Sequence, residues 1–206
     1  MPAQMTWLPE PDPGTKVCFG FDGSETGDFT AIKGETVDGL LFTPRWNGRP
    51  TIWNPADHGG RMPRAEVDAA VDDLFARFDV ERMYCDPPLW GSEIDAWALR
   101  HGEKRVLKWE TYRAVQMHSE LERFITDLGS GRLKHDGCPI TTEHVRNARM
   151  AHRRDGRYVL AKPLEAGAAR KIDAAVTSTL AHAAASDARA AGWGAPKSRK
   201  VVHFTR

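Results

Sequence analysis

Between Lys16 and Asp22, apolar Val17, Phe19 and Phe21 alternate with Cys18, Gly20 and Asp22, which predicts a strand with one bulky face and one small-residue face. The turn-rich GSETGD ends it. Phe29–Thr36 then reads as a second strand and Leu40–Thr43 as the start of a third, giving an antiparallel meander. Residues 44–62 are irregular, with several Pro, Gly and Trp. Pro63 fits the first turn of a helix, and Val67, Ala70, Val71, Leu74, Phe75 and Phe78 continue at helical spacing to about residue 79. RMYCD (82–86) is a short buried strand stopped by Pro87 and Pro88. A helix over 92–100 closes at Gly102, and RVLKWE (105–110) is a further strand. Residues 113–128 are strongly amphipathic, with Met117 on the core side, and end in GSG. A helix is expected over 143–152, a short strand or extended segment over 157–162, and a last helix over about 170–190. Strands in a meander followed by β-α units imply an α/β domain: a mixed sheet, part antiparallel meander and part parallel strands, flanked by helices. The domain spans 16–190, with a Pro-rich N-terminal tail (1–15) and a basic C-terminal tail (191–206).

Composition sets outer limits on this picture. The 206 residues fit one domain, and 41% hydrophobic with 28% charged residues is ordinary for a water-exposed globular chain. No apolar run reaches 18 residues and the N-terminus lacks a basic region followed by an apolar core, so neither a transmembrane helix nor a secretory signal is expected. A cytoplasmic location follows. Cys18, Cys85 and Cys138 form no CxxC pair, and two of them lie in apolar runs where a reduced thiol behaves as a small hydrophobe. His135 and Cys138 make one HxxC without a second half, and no HExxH occurs among the eight histidines, which argues against zinc. Net charge is only +1, yet Arg146, Arg149, Arg153, Arg154 and Arg157 cluster late in the chain, followed by Lys197, Arg199, Lys200 and Arg206. An uneven distribution of this kind can bind a polyanion locally.

Three aspartates carry the candidate chemistry. Asp22 ends the first strand, Asp86 ends the RMYC strand before two prolines, and Asp173 lies near the start of the last helix. Taken singly, each has an ordinary reading as turn former or helix cap. Taken together, the first strand and the strand after the first helix can be sheet neighbours, holding Asp22 and Asp86 side by side, and the last helix can bring Asp173 to them. Converging carboxylates repel one another and call for a cation. Hard oxygen ligands select Mg²⁺ or Mn²⁺, and two such ions about 3.5–4 Å apart suit in-line hydrolysis of a phosphodiester, leaving a 3′-hydroxyl and a 5′-phosphate.

These segments resemble the nuclease domain of phage terminase large subunits. The match runs through VCFGFDGSETGDFTAI, RMYCDPPLWGSEIDAWALRHG, VQMHSELERFITDLGSGRLKHD, EHVRNAR and ARKIDAAVTSTLAHAA, over roughly residues 16–186. The resemblance implies an RNase H-like fold, with Asp22, Asp86 and Asp173 as metal-binding and catalytic residues for two Mg²⁺ or Mn²⁺ ions. It implies cleavage of concatemeric double-stranded viral DNA during packaging in the host cytoplasm, with an ATPase motor, a small subunit and a portal as partners. Asp28 matches a recurrent aspartate, for which a turn-stabilising role is favoured, and Asn147 and Lys171 match positions that support the site or touch DNA. The GxxxxGK[ST] loop of an ATPase motor is absent, Gly14-Thr15-Lys16 being only a fragment, so the sequence is that of an excised nuclease domain or of a split-gene product.

Arg146, Arg149 and Arg153 would lie along one edge of a helix over 143–152 and could follow phosphates, or form a solvated face. Trp46, Trp53 and Trp90, three of seven tryptophans, fall in or near loops, where packing is the commoner role and base stacking the alternative. Two other functions remain open: a Holliday-junction resolvase or another RNase H-like nuclease using the same carboxylates, and a non-catalytic DNA-binding domain of the same fold.

Overall fold

The computed structural model describes residues 7–163 and 170–195. Its centre is the strand β1 (Lys16–Asp22), which pairs antiparallel with β2 (Thr30–Thr36) and parallel with β7 (Asp79–Cys85). Around them the sheet continues through β3 (Leu40–Phe42) and β9 (Lys134–His135) on one side and β8 (Val106–Lys108) on the other, in the order β8-β7-β1-β2-β3-β9. The meander β1-β2-β3 is antiparallel and β7 and β8 add parallel to it, so the mixed sheet expected from the sequence is present.

Residues 44–62 hold more structure than their composition suggested. They form a small hairpin of β4 (Arg45–Trp46) and β5 (Arg49–Pro50), then β6 (Ile52–Trp53) against β2, then a 3-10 turn at Pro55–His58.

The alternation in β1 sorts the two faces. Val17, Phe19 and Phe21 pack with Val67, Val71 and Leu74 of α1 (Arg64–Arg77) and with Ile94 and Trp97 of α2 (Gly91–His101). Cys18 and, from β7, Tyr84 face the opposite layer, where α3 (Ala114–Gly129) supplies Met117 and Leu121 and α5 (Asp173–Ala190) supplies Leu180 and a row of alanines. All three cysteines are free and buried.

Why α5 lies so close to the sheet is written in small residues. Gly20 leaves no room for a side chain: a Cβ there would stand 2.4 Å from the Ala181 nitrogen and 2.5 Å from the Thr177 carbonyl oxygen. Most of α5 is buried, and the hydroxyls of Thr177, Ser178 and Thr179 donate to the carbonyls of Asp173, Ala174 and Ala175 one turn earlier, so none enters the core unpaired. Glu35, fully buried on β2, accepts from Arg189 of α5 and pairs with His182 Nδ1 at 2.8 Å, which fixes α5 along the sheet.

One expected helix is replaced by other structure. The helix expected over 143–152 is α4, Pro139–Asn147, and the chain then turns into a second hairpin of β10 (Arg149–His152) and β11 (Tyr158–Ala161). Pro139 starts α4 at its first turn, and Ala148 leaves it in an extended conformation. Arg146, Arg149 and Arg153 therefore do not share a helical edge. Residues 7–15 of the N-terminal segment make contacts with the domain. Trp7 donates to Asp136 at 3.2 Å, the Leu8 amide donates to the Asp136 carbonyl at 2.7 Å, and Glu10 accepts from Arg77 at 3.0 Å. At the other end, Trp193 packs back beside α5, whereas Lys197, Arg199, Lys200 and Arg206 lie outside the described residues.

Candidate metal centre and nucleic-acid cleft

Parallel pairing of β1 with β7 puts the carboxyl ends of both strands at one edge of the sheet. The Asp86 amide donates to the Phe21 carbonyl at 3.0 Å, so Asp86 follows directly beside Asp22. Asp173, the first residue of α5, reaches the same end, where its Oδ2 accepts from the Phe29 amide at 3.2 Å. Asp86 is held from the other side by Thr111, whose amide donates to Oδ1 at 3.1 Å and whose hydroxyl donates to Oδ2 at 2.6 Å. Asp22 and Asp173 line one cleft of about 300 Å³ together with Thr111, Tyr112, Arg153 and Lys162.

The electrostatics of this edge are unfavourable as they stand. Burial, then the charges of Asp86, Asp173 and Asp28, push the Asp22 carboxyl well above the usual carboxylate range, against the opposing charge of Lys162. Asp86 is raised by burial against its two hydrogen bonds from Thr111. Asp173 is raised by burial and by Asp28, against the Phe29 amide. Asp28 goes the other way: burial would raise it, but hydrogen bonds from Lys162 and Lys171 overcome this and hold its carboxyl low. Among the described residues, no three His, Cys, Asp or Glu side chains stand ready-made around an ion. Asp22 and Asp173 share the cleft, while Asp86 stands beside Asp22 at the strand ends and is not among the residues that line it.

The Asp28 carboxylate is thus engaged by two distant lysines, Lys171 at 3.0 Å and Lys162, while its amide donates to the Thr26 carbonyl of its own turn at 2.9 Å. Asn147 Nδ2 donates to the Lys171 carbonyl at 3.0 Å and so steers the chain into α5. Of the arginines, Arg153 lines the cleft from the β10–β11 connection. Arg149 folds its guanidinium onto the carbonyls of Arg146 and Ala148 at 2.8 and 2.9 Å, and Arg146 borders a separate cavity beside Lys33 and Asp136. Trp90 and Trp53 are buried in the core and Trp46 packs against it, so these three serve packing.

Thr111 and Lys162 were not among the sequence candidates. Thr111 sits in a loop with no motif. Lys162 does end the RYVLAK segment, but its partner is 134 residues away.

No family model matches the chain. Solved structures with the same fold are phage large-terminase nucleases. The magnesium-bound nuclease of thermophilic phage G20c superposes with a TM-score of 0.63 at 12% identity, covering 87% of this chain and 93% of that one. Structures of the same nuclease with bound cobalt and bound zinc give TM-scores of 0.60 and 0.56. The HK97 bacteriophage large terminase aligns with a TM-score of 0.61 at 18% identity, over 86% of this chain and 41% of that chain. The chain therefore has the RNase H-like fold of terminase nuclease domains. In sequence it is similar to the gene 13 proteins of Mycobacterium phages D29 and L5, 34% and 33% identical over 186 and 184 residues. It spans about 30% of the length of each of these relatives. No helix among the described residues is long and apolar enough to cross a membrane.

Proposed function

We propose that this chain is the nuclease part of a phage packaging terminase, a metal-dependent endonuclease that cuts double-stranded viral DNA concatemers in the host cytoplasm. The observation that carries this reading is the carboxylate edge, where burial and three neighbouring aspartates press on Asp22. Such a cluster is stable at neutral pH only with protons or cations. Its donors are oxygens, with no thiolate or imidazole among them, a set that suits Mg²⁺ or Mn²⁺. Asp22, Asp86 and Asp173 would hold the ions; that the G20c nuclease of the same fold was solved with magnesium, cobalt and zinc bound supports a divalent cation in this reading.

Bound divalent cations would lower the pKa of water and neutralise charge on the phosphate. The chain's own residues do the rest. Thr111 fixes both oxygens of Asp86, the Phe29 amide fixes Asp173, and Arg153 and Lys162 place positive charge in the cleft where a DNA phosphate would lie. Hydrolysis adds water oxygen to phosphorus and breaks the P–O3′ bond, the 3′ oxygen taking a proton. Of the further candidates Arg146, Asn147, Arg149 and Lys171, it is Lys171 that connects to the site, through its ion pair with Asp28. Translocation would come from an ATPase motor, with a small subunit and a portal as further partners.

Supercoiled plasmid tests this directly. Wild type should nick or linearise it with Mn²⁺ or Mg²⁺ and not with EDTA. Asp22→Ala, Asp86→Ala and Asp173→Ala should each abolish cutting with folding retained. A wild-type chain that binds DNA yet never cuts it with Mn²⁺ would make this a non-catalytic DNA-binding domain instead.

A further inference from the structure

The loop that follows Asp86 contains a residue whose conformation folding does not favour. The Trp90 amide donates to the Pro87 carbonyl at 3.1 Å, closing a turn of Pro87, Pro88, Leu89 and Trp90. Leu89 occupies the third position with φ of +65°, where turns of this kind take Gly or Asn. A branched side chain in the left-handed region is strained. The strain is not offset by burial, because Leu89 is 65% exposed.

The turn is nevertheless held rigidly. Trp90 is fully buried between Phe21 and Trp97, and its Nε1 donates to the Ser24 carbonyl at 3.1 Å. Arg64 lies over the Trp90 ring at 4.1 Å, donates to the Leu89 carbonyl at 2.6 Å, and pairs with Glu25 and Glu93 at 2.7 Å each. Two prolines stiffen the approach. The Leu89 side chain is thus an apolar group presented to solvent three residues from a carboxylate of the site. Tyr112, next to Thr111 and 67% exposed, is a second apolar group flanking Asp86 from the neighbouring loop.

We propose that Leu89 is a specificity-determining contact to duplex DNA, a wedge that enters a groove beside the cut site and opens one base step. This rests on the nuclease reading above. The physical case has three parts: an exposed aliphatic tip, a backbone braced so that the tip does not fold away, and a place three residues after Asp86 on the loop that leaves the carboxyl end of β7. Apolar wedges of Leu, Ile, Met, Phe or Pro unstack and kink duplexes in this way, and the bend exposes more backbone to the protein.

The test uses short duplexes carrying 2-aminopurine at several steps, bound by the chain with Ca²⁺ in place of Mg²⁺. Wild type should raise 2-aminopurine fluorescence on binding, and Leu89→Ala and Leu89→Asn should remove most of that rise. DNA affinity, read by anisotropy, should weaken less than about tenfold, since phosphate contacts dominate affinity. With Mg²⁺, Leu89→Ala should cut intact duplex about tenfold more slowly and regain rate on a duplex with a mismatch, where the step is already open. Leu89→Gly should also lose the rise while melting at a higher temperature, because the strain is gone. An unchanged rise in Leu89→Ala, or no rise with wild-type protein that binds and cuts, overturns the wedge and leaves the nuclease reading intact. Failure of wild type to bind or cut DNA overturns both.

Discussion

A methyl group at Gly20 tests how the fold builds the site. In Gly20→Ala the new Cβ would meet the Ala181 nitrogen at 2.4 Å, the Thr177 carbonyl oxygen at 2.5 Å and the Leu180 Cβ at 2.8 Å. Comfortable contacts lie near 3.5 Å, so α5 must retreat from β1 by about 1 Å. Two of the three obstacles are backbone atoms, which no rotamer change can move. Overpacking of this sort costs typically about 1–3 kcal/mol, and displacement of so buried a helix places the expected loss at about 3 kcal/mol or somewhat more. The gain from stiffening the unfolded chain, at most about 1 kcal/mol, does not offset it. For a chain of this size the melting temperature should fall by about 6–12 °C.

Activity should suffer more than stability, because α5 begins at Asp173. A shift of about 1 Å at a reacting centre can cost about a hundredfold in rate. The assay is thermal unfolding by circular dichroism, with plasmid cleavage at a temperature where both proteins are folded. Gly91→Ala is the control: nothing lies within 4 Å of its added Cβ at the first position of α2, and it should melt within about 2 °C of wild type. A Gly20→Ala protein that melts like wild type would refute the close approach of α5 to β1.

Other consequences are simpler to state. His144 is buried and accepts at Nδ1 from the Ala174 amide at 3.0 Å; burial, with Lys171 and Lys162 nearby, lowers its pKa from 6.5 to about 4. The unfolded chain therefore binds a proton first, so this contribution is intact above pH 6.5 and is lost as pH falls toward 4, by an amount on the order of 3 kcal/mol. Urea unfolding in EDTA across that range should show the decline, and His144→Gln should flatten it; equal slopes would remove His144 as the cause. Thr111→Val keeps the amide bond to Asp86 but loses the hydroxyl donor, and should slow cutting about tenfold with little change in DNA affinity. Arg153→Ala should weaken DNA binding about equally across sequences and reduce the slope of log affinity against log salt by about one. An unchanged salt slope would take Arg153 off the phosphate path.

The sequence by itself determined the elements whose side chains repeat at short range. The alternation in KVCFGFD defined β1, its faces and Asp22 at its end, and two prolines after RMYCD marked where β7 stops and Asp86 begins. The small-residue run after Asp173 marked α5. Tertiary structure decided what depends on partners far along the chain. The segment Arg149–His152 reads as the end of a helix by spacing, but it pairs with Tyr158–Ala161 as a hairpin, which local periodicity does not encode. Asp28 looks like a turn residue until Lys162 and Lys171 arrive from more than 130 residues away. Thr111 gains its role only because β8 lies beside β7, and Leu89 shows its strain only as a backbone angle. Short-range spacing fixes which residues share a face; which faces meet, and hence which charges must coexist, is settled by packing over the whole chain.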